Sequence, residues 1–265
     1  MRPRIVLAIV PLLLVVGAVA TLQRHRSPHP FRVAIEMDVS YGPHVSNLYD
    51  HFQPVGAKGD PLVIVIHGGG TSGSTRADRW ATAFCRALAA DGIEAWSVDY
   101  RGAPDAQWPA QVDDCCAAIC HARKLGHREV FLLGLCVGGW FGCAAAREQR
   151  VEGIITIAAP LVTPDWDHRL RGRILGDVSP TDASPFHHLP PSEPPLLLIH
   201  GTDDETVPFT HAVSMQGRAE AADRDVSLLT LDGFRHNEPP ERLVPASYPA
   251  IYRWLQDHSA ALGIR

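Results

Sequence analysis

Four short stretches of this 265-residue sequence carry side chains capable of covalent chemistry. Gly134-Leu135-Cys136-Val137-Gly138 sets a thiol midway between two glycines, directly after the apolar run Glu129–Leu133. Small residues two before and two after let the backbone turn sharply from strand to helix and lift the central side chain above the sheet. The amino end of the following helix favours negative charge on the sulfur and on an oxyanion forming beside it. The plainer reading is a buried structural cysteine at a tight turn. His67-Gly68-Gly69-Gly70 follows another apolar run. Consecutive glycines let backbone N–H groups approach a ligand, so Gly69, Gly70 and the N–H of Val137 are candidate oxyanion donors. A phosphate loop would end in G-K-[ST], which is missing. Asp204 and His236 each follow a further predicted strand, so a candidate nucleophile, acid and base come in that order along the chain. Asp203 is the second candidate for the acid, and His67 is expected to shape its loop rather than act as base.

These residues need a scaffold that brings strand ends together. Phe31–Tyr41 and Leu48–Phe52 read as the first strands. Leu62–Ile66, Glu94–Val98, Glu129–Leu133, Gly153–Ala158, Leu196–His200 and Val226–Leu231 follow. The uninterrupted apolar run Leu62–Ile66 suits a strand buried on both faces. Helices are expected over Ala77–Ala90, Trp108–Leu125, the stretch to about Arg147, Phe209–Ala222 and Ala246–Ala261. The alternation predicts an α/β architecture, a mostly parallel central sheet flanked by helices. In such folds ligands lie at the carboxyl ends of strands, where His67, Cys136, Asp204 and His236 fall. Leu161–Pro191 reads as irregular and is the place for a small lid, if there is one.

With these motifs in hand, the region from about Ser40 to Trp254 resembles the α/β-hydrolase superfamily, within it the esterase/lipase group that carries an HGGG motif. Asp99-Tyr100-Arg101 with Ala103-Pro104, Trp108-Pro109, Asp113-Asp114 and Ser184-Pro185 look like further landmarks of that group. The resemblance implies an α/β-hydrolase domain over residues 27–265. It also implies ester hydrolysis through an acyl-enzyme on a small-molecule acyl substrate, with no cofactor and no metal. Asp99, Arg101 and Asp114 would be scaffold charges. Two departures stand out: Cys136 replaces the usual serine, and Val137 the usual alanine. Thiolate suits thioesters, lactones and activated esters better than unreactive esters. The expected activity is therefore a carboxylic ester, lactone or thioester hydrolase with a Cys136–His236–Asp204 triad. The alternatives are an acyltransferase of the same site and a silent hydrolase-fold binding protein.

Composition narrows the classes further. Apolar residues make up 46% and charged residues 20%, ordinary for a globular chain. The net charge of −5 comes with no basic stripe, which argues against nucleic acid. Residues 1–26 differ from the rest: Arg2 and Arg4 precede the uncharged run Ile5–Leu22, and Ala18-Val19-Ala20 fits a cleavage site. This reads as a signal peptide or a membrane anchor, placing the domain outside the cytoplasm, secreted or tethered through residues 5–22. The six cysteines lie between positions 85 and 143 without a C-x-x-C pair, which disfavours a zinc ribbon. His187-His188 and Asp165–His168 contain ligand types but no second cluster. Trp108, Trp140 and Trp166 are expected in core packing. Oligomeric state has no signal in the sequence.

Overall fold

The computed structural model describes residues 31–57, 59–69, 73–103, 105–166, 168–188 and 194–263. The expected leader or anchor over residues 1–26 and the candidate donor Gly70 lie outside them. Eight strands form one sheet: β1 (Val33–Ser40), β2 (Leu48–Pro54), β3 (Leu62–Ile66), β4 (Glu94–Val98), β5 (Val130–Leu135), β6 (Gly153–Ile157), β7 (Leu196–Gly201) and β8 (Val226–Leu231). Their spatial order is β1-β2-β4-β3-β5-β6-β7-β8. The two pairings of β2 are antiparallel and all others parallel.

The described residues contain six α-helices: α1 (Arg79–Ala90), α2 (Ala110–Lys124), α3 (Val137–Glu148), α4 (His168–Ile174), α5 (Thr210–Glu220) and α6 (Pro240–His258). The apolar runs are continuous because alternate residues enter two different cores. Ile64, Ile66 and Leu132 pack with Ile119 of α2 and Trp140 of α3. Val63, Val65 and Leu133 pack with Phe84 of α1 and Ile251 of α6. Each such buried aliphatic side chain contributes roughly 1.5–3 kcal/mol. Asp78 starts α1 by accepting the N–H groups of Trp80 and Ala81.

Two expectations need correction. The last helix begins at Pro240 rather than Ala246. Proline is tolerated in a first helical turn, and Pro245 and Pro249 sit together on the exposed face, where the carbonyls they leave unbonded can meet water. The buried stripe Leu243–Tyr248–Ile251–Trp254–Leu255 holds that helix against the sheet. The segment 161–191 is also not wholly irregular: it contains α4 and single turns at Thr163–Asp165 and Pro185–His187. Trp140 is buried in the core with the half-buried Trp108 tilted against it at 4.7 Å, in line with core packing, and Trp166 packs on Trp140 and also faces the cleft described below.

Replacing Phe84, fully buried between α1 and the sheet, with alanine is expected to cost about 3–5 kcal/mol. A lowered urea midpoint with an unchanged slope would show this.

Candidate active site

The site is built on the turn after β5. Cys136 has φ 51° and ψ −125°, outside the ordinary range for a side-chain-bearing residue. Such a conformation costs about 1–3 kcal/mol and persists only where the surroundings impose it. Here the imposition is contact between backbones. A Cβ on Gly134 would lie 2.3 Å from the Gly139 backbone, and one on Gly138 would lie 2.2 Å from the Ile66 carbonyl oxygen. The two glycines of the motif are therefore required by close approach. No side chain caps α3, whose first turn opens at Cys136.

Asp204 sits in the loop after β7. Its Oδ1 accepts the N–H groups of Thr206 and Val207, at 2.9 and 2.8 Å. Its Oδ2 lies 2.8 Å from His236 Nδ1 and 3.2 Å from His200 Nε2. Asp203, the other candidate acid, points to solvent and accepts from Thr202. Burial works against ionised Asp204, yet its bonds to His200, His236 and Val207 hold its pKa well below the carboxylate range. His236 shows the complementary balance. Burial lowers its pKa, but the bond to Asp204 and the nearby Cys136 sulfur outweigh this and raise it to about 10. The two loops are stitched together at Gly201, where a Cβ would strike the Phe234 carbonyl at 2.2 Å, and by Asp203 N–H donating to that carbonyl.

The loop after β3 forms the third side. His67 stacks on Tyr100 with centroids 4.4 Å apart and bonds its own loop at Gly68 O. Tyr100 donates to the His67 carbonyl at 2.9 Å. His67 Nε2 lies 3.5 Å from Asp99. His67 is thus a loop-shaping residue, as expected. Arg76, which the sequence reading passed over, joins Asp38, Asp50 and Asp99 and ties this loop to the sheet. Arg101 and Asp114 form a doubly bonded pair, in keeping with a scaffold role.

Cys136, Val137, Gly68, Gly69 and His236 all line one cleft of about 1110 Å³ at the carboxyl end of the sheet. This chain is an α/β-hydrolase-fold protein. Residues 63–172 match the family model described as alpha/beta hydrolase fold, and 175–261 match the prolyl oligopeptidase family. Esterase LipC of Mycobacterium tuberculosis is 30% identical over 236 residues, covering 75% of this chain and 58% of that protein. Carboxylic ester hydrolase LipN of the same organism is 38% identical over 140 residues, covering 48% of this chain and 36% of its own. The chain thus spans little more than half of these relatives at most. A solved thermophilic esterase from Thermogutta terrifontis superposes with a TM-score of 0.72 at 20% identity, over 89% of this chain and 96% of that one.

Among the described residues, no group of three His, Cys, Asp or Glu is arranged to hold a metal ion, and no helix is long and apolar enough to cross a membrane. All six cysteines are free thiols. Cys116 and Cys120 share a face of α2, bonding Ala145 O and Gln149 of the neighbouring helix region. Sequence reasoning missed His200 and His211, which reach the site from β7 and α5. The only signal for either was a histidine close to Asp204 in the chain.

Two predictions follow from this geometry. Gly138→Ala should destabilise the fold by about 3 kcal/mol, because the clash is with backbone; thermal unfolding measures it. The Asp204–His236 pair should also give stability a defined pH window. The raised His236 pKa contributes stability that is full below 6.5 and lost as pH climbs through about 10. The depressed Asp204 pKa contributes stability present above the usual carboxylate value and lost in acid. The stability difference between the native protein and Asp204→Asn, from urea unfolding, should peak between about pH 4 and 6.5 and shrink on either side.

Proposed function

We propose that this protein hydrolyses carboxylic esters, lactones or thioesters through an acyl-enzyme formed on Cys136. The observation that carries the reading is the strained Cys136 turn facing His236, itself held by Asp204, within one cleft. The esterase names of the relatives support the reaction class.

In this reading the Cys136 sulfur bonds to the acyl carbon with the thiol proton held on His236. Asp204 stabilises the imidazolium, consistent with the raised His236 pKa. The carbonyl electrons move to oxygen, where the N–H groups of Gly69 and Val137 (with Gly70, outside the described residues) hold the oxyanion. Collapse expels an alkoxide or thiolate, which takes the proton from His236. Water then adds to the acyl thioester with His236 as base, and the acid and free thiol are released. Tyr100 and His67 hold the glycine loop in register with the turn. Export or tethering of the domain is a further part of the proposal and rests on the sequence of residues 1–26 alone.

The test uses p-nitrophenyl acetate and a short acyl thioester. Steady turnover is expected, with Cys136→Ala lowering kcat by at least about 10³-fold and iodoacetamide abolishing activity. Turnover that survives in Cys136→Ala would exclude the cysteine nucleophile. A single burst without turnover would point instead to transfer onto an acceptor other than water.

A further inference from the structure

The cleft contains a second histidine that acyl transfer leaves without a task. His211 lies on the first turn of α5, is 4% exposed, and lines the same cleft as Cys136 and His236. The Val162 N–H donates to its Nδ1 at 3.1 Å. A ring nitrogen that accepts a hydrogen bond carries no proton, so in the neutral ring the proton sits on Nε2. Burial lowers the His211 pKa, aided by nearby His200 and opposed by Asp165 and Asp204, and the ring stays neutral. Its Nε2 bonds to no described residue, yet it is not among the polar atoms sealed from solvent without a partner. It therefore opens onto the cleft. The contrast is His200, whose Nε2 is spent on Val207 O and Asp204. His211 is thus a buried, oriented, neutral donor aimed into a cavity.

The wall beside it is mixed, with Asp165 and Arg173 among its apolar lining. Pro160 and Trp166, which flank Val162, line the cleft on the strand-end segment that fixes the ring. A donor fixed at one point of the cleft selects, because a ligand that cannot accept there leaves that donor unpaired.

We propose that His211 is a substrate-binding residue whose Nε2–H recognises an acceptor oxygen beyond the reacting carbonyl. The preferred substrates are then esters or thioesters bearing an ether, keto or hydroxyl oxygen in the arm that runs from Cys136 toward residues 160–166. This rests on the reading of the cleft as the acyl-transfer site.

The experiment compares two probe pairs matched in chain length. One pair is p-nitrophenyl methoxyacetate against p-nitrophenyl butanoate; the other is the 2-methoxyethyl against the butyl ester of acetic acid. Each is measured with the native protein, His211→Leu and His211→Gln. Comparing variants on one substrate cancels the intrinsic reactivity of the ester. For the oxygen-bearing member of at least one pair, His211→Leu should lower kcat/KM about tenfold, the scale of one neutral hydrogen bond. The hydrocarbon partner should change less than about twofold on the same scale. His211→Gln should retain the preference, because its Oε1 can accept from Val162 while its amide donates into the cleft. Equal losses on both members of both pairs would mean a purely structural histidine and overturn the proposal. Side-chain ¹⁵N spectra of the Cys136→Ala protein supply a readout independent of turnover. The His211 signals should report the Nε2–H tautomer and move with methyl methoxyacetate but not with methyl butanoate. That result, together with a native protein that hydrolyses none of these esters, would overturn the proposed reaction and leave the recognition standing. An Nδ1–H tautomer, or no response to either ester, would overturn the recognition itself.

Discussion

The backbone contact between the turn after β5 and the end of β3 is the constraint on which the rest of the site depends. The Ile66 carbonyl comes so close to Gly138 that no side chain fits between them. The start of α3 can come this close to the end of β3 only because Gly138 has no Cβ. Beside this contact Cys136 is held at φ 51°. The same contact sets Gly68 beside Cys136, since a Cβ on Gly68 would lie 3.0 Å from that of the cysteine. One close approach thus places the thiol and the glycine loop in register, and the strain is repaid by the two cores that clamp the sheet.

The acid and base are held by a second constraint of the same kind. Gly201 lies against the Phe234 carbonyl, so the loops after β7 and β8 cannot separate without losing that packing. Asp204 is then fixed by two backbone N–H groups and two imidazoles. A carboxylate with all its lone pairs engaged keeps its charge despite burial, and that charge is what makes protonated His236 favourable. The energetics run in sequence: backbone packing places the acid, the acid tunes the histidine, and the histidine faces the thiol.

Much of this was legible beforehand because it resides in local pattern. Apolar runs marked the parallel strands, and glycines at fixed offsets marked the sharp turns. Chemistry-bearing residues fell just after strands, at the sheet end where a parallel architecture collects ligands. The less legible parts involve partners distant in the chain. Arg76 gathers Asp38, Asp50 and Asp99 from three separate segments. The start of α6 was obscured because proline propensity argues against a helix, while a buried stripe of five side chains outweighs it.

The sequence by itself determined the fold class, the order of the elements and the candidate chemistry at Cys136, Asp204 and His236. Those depend on periodicity, turn residues and their order, which a linear string records. Only the tertiary structure decided that Asp204 rather than Asp203 engages His236, that His67 is stacked into its loop, and that Trp166 reaches the cleft while Trp108 does not. It alone showed His211 with one nitrogen tied to Val162 and the other open to the cleft. The reason is physical. Hydrogen-bond partners and burial depend on which surfaces meet, and those surfaces come from segments dozens of residues apart that meet only when the sheet is assembled.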